Sequence, residues 1–185
     1  MAMTEAAKIP LRIVCDSREQ QPFTFDGFPV VVTPGTLASG DYSLHGFTDR
    51  IAVERKSLPD LLHSISKERE RFERELQRLK AHDFACVLVE ANVDDLRAGQ
   101  YRAKLNPEAA WQSVLAFTQR YRIPFIWSES RADAEQVAFD FLRHFARDRW
   151  RELQALDTAT HFRHVAGLNQ HHTTGESNHD QKNNS

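Results

Sequence analysis

The sequence is poor in cysteine and contains no long apolar run. Only two cysteines, Cys15 and Cys86, occur among its 185 residues, and each lies within a short apolar stretch. Two cysteines are too few for a disulfide framework and are typical of a reducing compartment. No stretch of about 18 apolar residues occurs, so the sequence predicts no membrane span and no membrane partner. Residues 1–10 also lack the basic stretch and apolar core of a secretory signal, and we therefore expect a cytoplasmic location.

An excess of positive charge is missing as well. The chain has 24 Lys and Arg residues against 26 Asp and Glu residues, which gives a formal net charge of -2. No global positive field would therefore attract a nucleic acid. Binding of a nucleic acid would require a local basic patch, a bound metal or a partner chain.

Large apolar residues become scarce towards the C-terminus. We expect a leader at residues 1–9, one domain at 10–156 and a polar tail at 157–185 that buries too little apolar surface to order itself. Five of the nine histidines lie in this tail, where they predict adventitious metal binding rather than a designed site: His161, His164, His171, His172 and His179.

Hydrophobic periodicity predicts an α/β domain. Helical spacing appears from residue 57 to 79, over 107–121 with Asn106 as N-cap, and from 131 to about 150. Apolar and β-branched runs predict strands, of which the third and fourth form a hairpin, at residues 11–15, 28–33, 42–45, 51–54, 84–89 and 125–127. Because strands cluster first and helices then alternate with strands, we expect a mixed sheet with helices on both faces.

Two acids and a lysine lie at neighbouring strand ends. Asp41 precedes one predicted strand, and Glu54 and Lys56 end the next, two residues apart and therefore on one face. Carboxylates suit a magnesium ion, which polarises a phosphate and activates water. A lysine beside it could hold or deprotonate that water, or offset negative charge. The structural alternative is a turn role for Asp41 and an ion pair of Glu54 with Arg55 or Lys56.

Four separated motifs resemble the nuclease domain of the XPF family of structure-specific endonucleases, whose signature is ERK, three residues, then D. The motifs are Asp16-Ser17-Arg18-Glu19, Gly40-Asp41-Tyr42, Val53-Glu54-Arg55-Lys56-Ser57 and the following Asp60. The resemblance implies a restriction-endonuclease-like PD-(D/E)xK core with a mixed central sheet flanked by helices. It also implies Mg²⁺, with Mn²⁺ able to substitute, and DNA with single-to-double-strand junctions as the partner.

The resemblance assigns roles to individual residues. Asp41, Glu54, Lys56 and Arg55 would be catalytic, and Asp16 would join Asp41 and Glu54 in metal binding. Supporting roles fall to Arg18 and Glu19, which could instead pair with each other, and to Asp60, which could instead cap a helix. DNA contacts are predicted at five residues, although the helical ones could simply form a solvated face of i,i+4 pairs: Arg69, Arg71, Arg74, Arg102 and Lys104.

The last predicted helix carries two apolar stripes, one containing Phe141 and the other Trp150. Together they exceed the roughly 100° stripe of a helix with one buried face, so we expect a homodimer through the C-terminal helices. Family members usually carry helix-hairpin-helix repeats that hold duplex DNA. None is recognisable in the printed sequence, so we expect a recruiting partner, with the protein at the nucleoid, or in the nucleus of a eukaryote. The functional alternatives are a catalytically silent DNA-binding or dimerisation module, and an exonuclease or RNase on the same core.

Overall fold

A computed structural model describes residues 10–160 of the chain, and one six-stranded sheet forms its centre. The predicted leader, most of the predicted tail and its five histidines lie outside the described residues. The sheet has the order β2-β1-β3-β4-β5-β6. Its strands are β1 (Leu11–Asp16), β2 (Val30–Gly35), β3 (Tyr42–Leu44), β4 (Ile51–Ser57), β5 (Phe84–Glu90) and β6 (Phe125–Ser128).

Strand directions confirm the predicted mixed sheet. β3 pairs antiparallel with both β1 and β4, which confirms the predicted hairpin. The pairs β1–β2, β4–β5 and β5–β6 are parallel. Because β4 and β5 run side by side in one direction, the chain segments that follow Ser57 and Glu90 leave the sheet at the same edge.

Helices cover both faces of the sheet. They are α1 (Leu58–Ser66), α2 (Arg69–Leu79), α3 (Val93–Arg97), α4 (Pro107–Tyr121) and α5 (Arg131–Thr160). Side chains alternate along β4, so Ala52 joins the core cluster built with α1, α2 and α4, while Ile51 and Val53 join the cluster built with α5. The two-sided architecture predicted from the sequence is confirmed.

Several local features differ from the predicted elements, and the last helix, predicted to end near residue 150, continues to Thr160 and so includes the first residues of the predicted tail. The helix predicted from residue 57 to 79 is divided into α1 and α2 by a turn at Lys67 and Glu68. α3, which Asn92 caps by accepting from the Asp94 N–H, was not predicted. β2 continues through Pro34, which is tolerated because β2 is an edge strand and needs no ladder hydrogen bond on its outer side.

The chain divides after Arg147 into two compact units. In the first unit, α5 buries Ala134, Ala138 and Leu142 completely against the sheet. In the second unit, Trp150, Leu153 and Leu156 have more than half of their surface exposed. Within residues 10–160, no helix is both long and apolar enough to cross a membrane.

Candidate active site

Asp41 is held where the loop before β3 joins two strands. Its backbone N–H donates to the Val53 carbonyl at 2.8 Å, and its own carbonyl accepts from the Asp16 N–H at 2.8 Å. The preceding Gly40 has a left-handed φ of 81°, and a Cβ there would lie 3.0 Å from the Ala52 Cβ. Glycine is therefore required for the chain to turn this close to β4. The turn brings the Asp41 carboxylate to β4, where its Oδ2 accepts from the Arg55 N–H at 2.7 Å.

Glu54 and Lys56 project from the same face of β4. Glu54 is only 3% exposed, and its Oε1 lies 2.5 Å from the Lys56 Nζ. The same Nζ lies 3.5 Å from Oε2 of Glu75 and 5.4 Å from the centre of the Phe72 ring, both on α2. The lysine is therefore enclosed between its own strand and α2.

These side chains open into one cavity of about 420 Å³. Seven residues singled out from the sequence line it: Asp16, Arg18, Asp41, Glu54, Lys56, Asp60 and Arg71. Further lining comes from α1, α2 and the turn between them, and it includes His63, Ser64, Glu68, Glu75 and Arg78. The structure thus brings together the predicted acids and the lysine, and it adds a helical wall that the motifs did not indicate.

Negative charge exceeds positive charge at the centre of the cavity. Burial raises the pKa of Asp41 to about 6, although the Arg55 N–H opposes the shift. Burial and the neighbouring Asp41 together raise the pKa of Glu54 well above its ordinary value. For Lys56, burial opposes the charged form, but Glu54 and Glu75 outweigh it, so its pKa is raised. One ammonium therefore faces three carboxylates, a balance that suits an additional cation.

Asp16 lies at the end of β1 with both carboxylate oxygens occupied. Arg18 donates from Nε at 2.7 Å and from Nη2 at 2.8 Å, and the Leu37 N–H donates at 2.8 Å. The Arg18 guanidinium lowers the pKa of Asp16. Arg18 therefore pairs with Asp16 rather than with Glu19, which was the alternative considered from the sequence. Direct metal ligation by Asp16 would require Arg18 to leave, whereas a water-mediated role would not.

Arg55 points to the opposite face of β4. Its guanidinium binds Glu90 at 2.7 and 2.6 Å, lies 3.6 Å from Glu19, and has a side chain only 9% exposed. Arg131 at the start of α5 shares Glu90 at 3.2 Å. A phosphate contact by the Arg55 guanidinium would first have to break this pairing. In this arrangement Arg55 supports the site through its backbone N–H to Asp41.

The remaining predicted residues lie on α1, on α2 and in the loop between α3 and α4. Ser57, rather than Asp60, is the N-cap of α1: its hydroxyl accepts from the Asp60 N–H at 3.3 Å and donates to the Asp60 carboxylate at 2.6 Å. Arg69 pairs with Glu73 at 3.1 Å and stacks on Phe117 at 4.5 Å, so it packs α2 against α4. Of the five predicted DNA contacts, Arg71 lines the cavity, whereas Arg69 and the exposed Arg74, Arg102 and Lys104 do not.

Two charged cavity residues on α2 were not predicted from the sequence. Glu75 and Arg78 follow Arg71 at positions i+4 and i+7, which places all three on one side of the helix. The spacing of four and seven residues from Arg71 could have predicted them. It did not single them out, because several other sets of charged residues along α2 share the same spacing.

The donor set fits a magnesium ion. Asp41 and Glu54 supply hard carboxylate oxygens, and magnesium keeps several water ligands and needs few from the protein. Within residues 10–160, no group of three or more His, Cys, Asp and Glu side chains is arranged to hold a metal. Two carboxylates together with bound water are therefore the arrangement that these residues can offer.

A model of a known protein family, the ERCC4 domain, matches residues 15–141, which is more than half of the chain. The chain belongs to the ERCC4 domain family. This ERCC4 domain is 29% identical over 133 residues to the 3′-flap repair endonuclease Xpf of Saccharolobus solfataricus. The match covers 69% of this chain but only 52% of that protein, so the chain spans about half the length of this relative.

Solved structures confirm the fold of the ERCC4 domain. XPF from Aeropyrum pernix superimposes with a TM-score of 0.60 at 24% identity, covering 80% of this chain and 73% of that one. The same protein in complex with DNA gives a TM-score of 0.59 at 22% identity, covering 75% and 66%. The resemblance to XPF-type nuclease domains and the mixed sheet expected from the sequence are both confirmed.

Proposed function

We propose that this ERCC4 domain is a divalent-metal-dependent endonuclease that hydrolyses DNA at single-to-double-strand junctions. The observation that carries the proposal is the convergence of Asp41, Glu54 and Lys56 in one cavity with unbalanced negative charge. The relative named a 3′-flap repair endonuclease supports the substrate class, and the DNA complex of the A. pernix protein supports DNA as the partner.

Asp41 and Glu54 would hold the ion, with Asp16 acting through water. A bound Mg²⁺, for which Mn²⁺ would substitute, polarises the scissile phosphate and lowers the pKa of an attacking water molecule. The two positive charges of the ion would offset the burial that raises the pKa of Asp41 and Glu54, and they would also offset the repulsion that Asp41 exerts on Glu54. The arrangement accounts for a buried carboxylate, Glu54 on β4, beside the half-buried carboxylate of Asp41 on the neighbouring loop.

Lys56 would supply positive charge next to the ion site, because its ammonium lies 2.5 Å from Glu54 and its pKa is raised by Glu54 and Glu75 in the metal-free protein. The ammonium can therefore hold the attacking water or a phosphate oxygen and stabilise the additional negative charge of the transition state.

The α2 wall is the proposed path for the DNA backbone. Arg71, whose side chain is 79% exposed and lies 3.6 Å from Glu68, faces the cavity together with Arg78. Exposed guanidinium groups bind phosphates well and without sequence preference, as a structure-specific enzyme requires. Arg71 and Arg78 would thus place the strand over Lys56.

Partner chains would complete the assembly. We expect a homodimer through the C-terminal helices, since Trp150, Leu153 and Leu156 expose more than half of their surface. A separate recruiting partner would supply the grip on duplex DNA, and the site of action would be the nucleoid, or the nucleus in a eukaryote.

The test uses end-labelled substrates of identical sequence: duplex, single strand, 3′ flap, fork and the matching RNA. Each is incubated with Mg²⁺, Mn²⁺ or chelator and the wild-type protein, Asp41→Asn, Lys56→Ala, or Asp49→Asn as a control at an exposed acid. Metal-dependent internal cleavage of flaps or forks, lost in the first two variants but not in the control, is the expected result.

Other outcomes would replace the proposal. Binding without cleavage in either metal would indicate a catalytically silent module. Stepwise shortening from an end would indicate an exonuclease, and preferential cleavage of the RNA would indicate an RNase. Circular dichroism of every variant is needed so that a loss of activity is not attributed to unfolding.

A further inference from the structure

We propose that Glu75 is a positioning residue that holds the Lys56 ammonium when Glu54 engages the divalent ion. This proposal rests on the proposed function. Glu75 lies one turn after Phe72 on α2, and both contact the lysine, with the carboxylate Oε2 at 3.5 Å and the ring centre at 5.4 Å from Nζ. Lys56 therefore has one carboxylate partner on its own strand and a second on the helix above it.

Metal binding would change which of the two carboxylates, Glu54 or Glu75, pairs with the Lys56 ammonium. Glu54, which would hold the ion, already accepts from Lys56 through Oε1 at 2.5 Å. A divalent cation on Glu54 would repel the Lys56 ammonium and would compete with it for the negative charge of the Glu54 carboxylate. Lys56 then needs another anion within reach, and in residues 10–160 its ion pairs are with Glu54 and Glu75.

The other acids near the cavity are engaged elsewhere. Asp41 accepts from the Arg55 N–H, and Asp60 is tied to Ser57 at the start of α1. Glu68 pairs with Arg71 at 3.6 Å. Glu75 thus remains as the carboxylate that can receive the ammonium.

Glu73, a neighbouring acid on α2, has different partners from those of Glu75. Glu73 pairs with Arg69 and Arg120 and accepts from the Tyr121 hydroxyl, so it joins α2 to α4. Over the described residues, the one ion pair of Glu75 is with Lys56. Its side chain is 24% exposed, so a neutral isostere removes the charge without opening a gap in the core. Such a carboxylate contributes its charge to the lysine rather than to helix packing.

Manganese binding to the DNA-free protein tests the proposal without relying on activity. Isothermal titration calorimetry would compare wild type, Glu75→Gln, Lys56→Met and the double variant, with Glu70→Gln as an exposed control on α2. Loss of Glu75 leaves the ammonium entirely on Glu54, where it competes with the ion. We expect Glu75→Gln to weaken Mn²⁺ binding by roughly tenfold when Lys56 is present, and by less than about twofold in Lys56→Met.

Three results would overturn the proposal. Equal weakening in both backgrounds would make Glu75 a metal ligand, and no weakening in the wild-type background would leave it without a role. A wild-type protein that binds no Mn²⁺ would overturn this proposal together with the proposed function. Mn²⁺ binding without any DNA cleavage would overturn the proposed function alone, because the affinity comparison would still decide the role of Glu75.

Kinetics on a cleaved substrate add a second measurement. Because the ammonium acts on the reacting phosphate, Glu75→Gln should lower kcat about tenfold or more while KM for DNA changes little. Glu75→Asp should recover part of the loss, since the charge is kept one methylene shorter. If Glu75→Gln raised KM alone, or Glu75→Asp recovered nothing, a positioning role would be excluded. Should Glu75→Gln unfold, Glu75→Ala provides the same comparison of metal affinity.

Discussion

Replacing Asp41 by asparagine should stabilise the metal-free protein and at the same time abolish cleavage. Burial raises the pKa of Asp41 from 3.8 to about 6 in the folded state. Well below pH 3.8 the carboxyl group is protonated in both the folded and unfolded states, so it makes no contribution to the free energy of unfolding. As the pH rises through 6, the Asp41 carboxyl group is already ionised in the unfolded state. Its ionisation in the folded state is less favourable, so the free energy of unfolding falls. Above pH 7 this destabilisation is complete.

The magnitude follows from the size of the pKa shift. A rise of about two pKa units corresponds to a cost of about 3 kcal/mol at neutral pH, taken as an upper bound. Asparagine keeps an acceptor for the Arg55 N–H, now 2.7 Å from Oδ2, but loses the extra strength of a charged acceptor. We therefore expect a net gain of about 1–2 kcal/mol in the free energy of unfolding, or a rise of roughly 2–8 °C in Tm.

Thermal and urea denaturation in EDTA between pH 5 and 8.5 measures the effect, with Asp49→Asn as control. The advantage of Asp41→Asn should grow from pH 5 to pH 7.5, while the control follows the wild type. Adding Mg²⁺ should reverse the order, because ligand at 100 times its Kd stabilises the wild type by about 2.7 kcal/mol. An Asp41→Asn protein less stable than wild type at pH 8 in EDTA would refute the reasoning, since it would show that the ionised Asp41 carboxylate stabilises the metal-free fold.

Three further measurements test separate parts of the structure. Glu90→Gln should lower the free energy of unfolding by about 2–3 kcal/mol in urea denaturation, because the buried Arg55 loses its charged partner; an unchanged value would contradict the pairing. Replacing Arg71 and Arg78 by alanine should weaken DNA binding and reduce the slope of log K against log salt by about two, whereas Arg74→Ala should leave the slope unchanged. Light scattering at micromolar concentration should give a mass near twice 21.3 kDa, and a monomeric mass would exclude the homodimer.

The fold was predictable where local chemistry and packing agree. Asn106 and Pro107 mark the start of α4 from the sequence, and the Asn106 side chain does accept from the Ala109 N–H at 3.1 Å. The break between α1 and α2 was not predictable from periodicity. Ile65 and Phe72 are seven residues apart, so the apolar spacing continues unchanged across the turn. A turn that preserves the buried stripe leaves no trace in a hydrophobic pattern.

The part of the site that lies on the strands could be predicted from the alternation of side chains along a strand. The two-residue spacing of Glu54 and Lys56 places them on one face, and the hairpin explains how Asp41 joins them. Glu75 and Arg78 come from a helix whose position over β4 depends on the whole core. Their contribution therefore requires the tertiary structure, because nothing local distinguishes them from the other charged residues of α2.

Alternation along β4 also explains the divided roles within the Glu54-Arg55-Lys56 motif. The outer two side chains face the cavity and α2, while the central one faces α5 and the Glu90 carboxylate that it shares with Arg131. Arg55 nonetheless contacts the site through its backbone N–H, which donates to the Asp41 carboxylate at 2.7 Å. We therefore expect a change at Glu90 or Arg131 to act on the Asp41 carboxylate through Arg55, although neither residue lines the cavity.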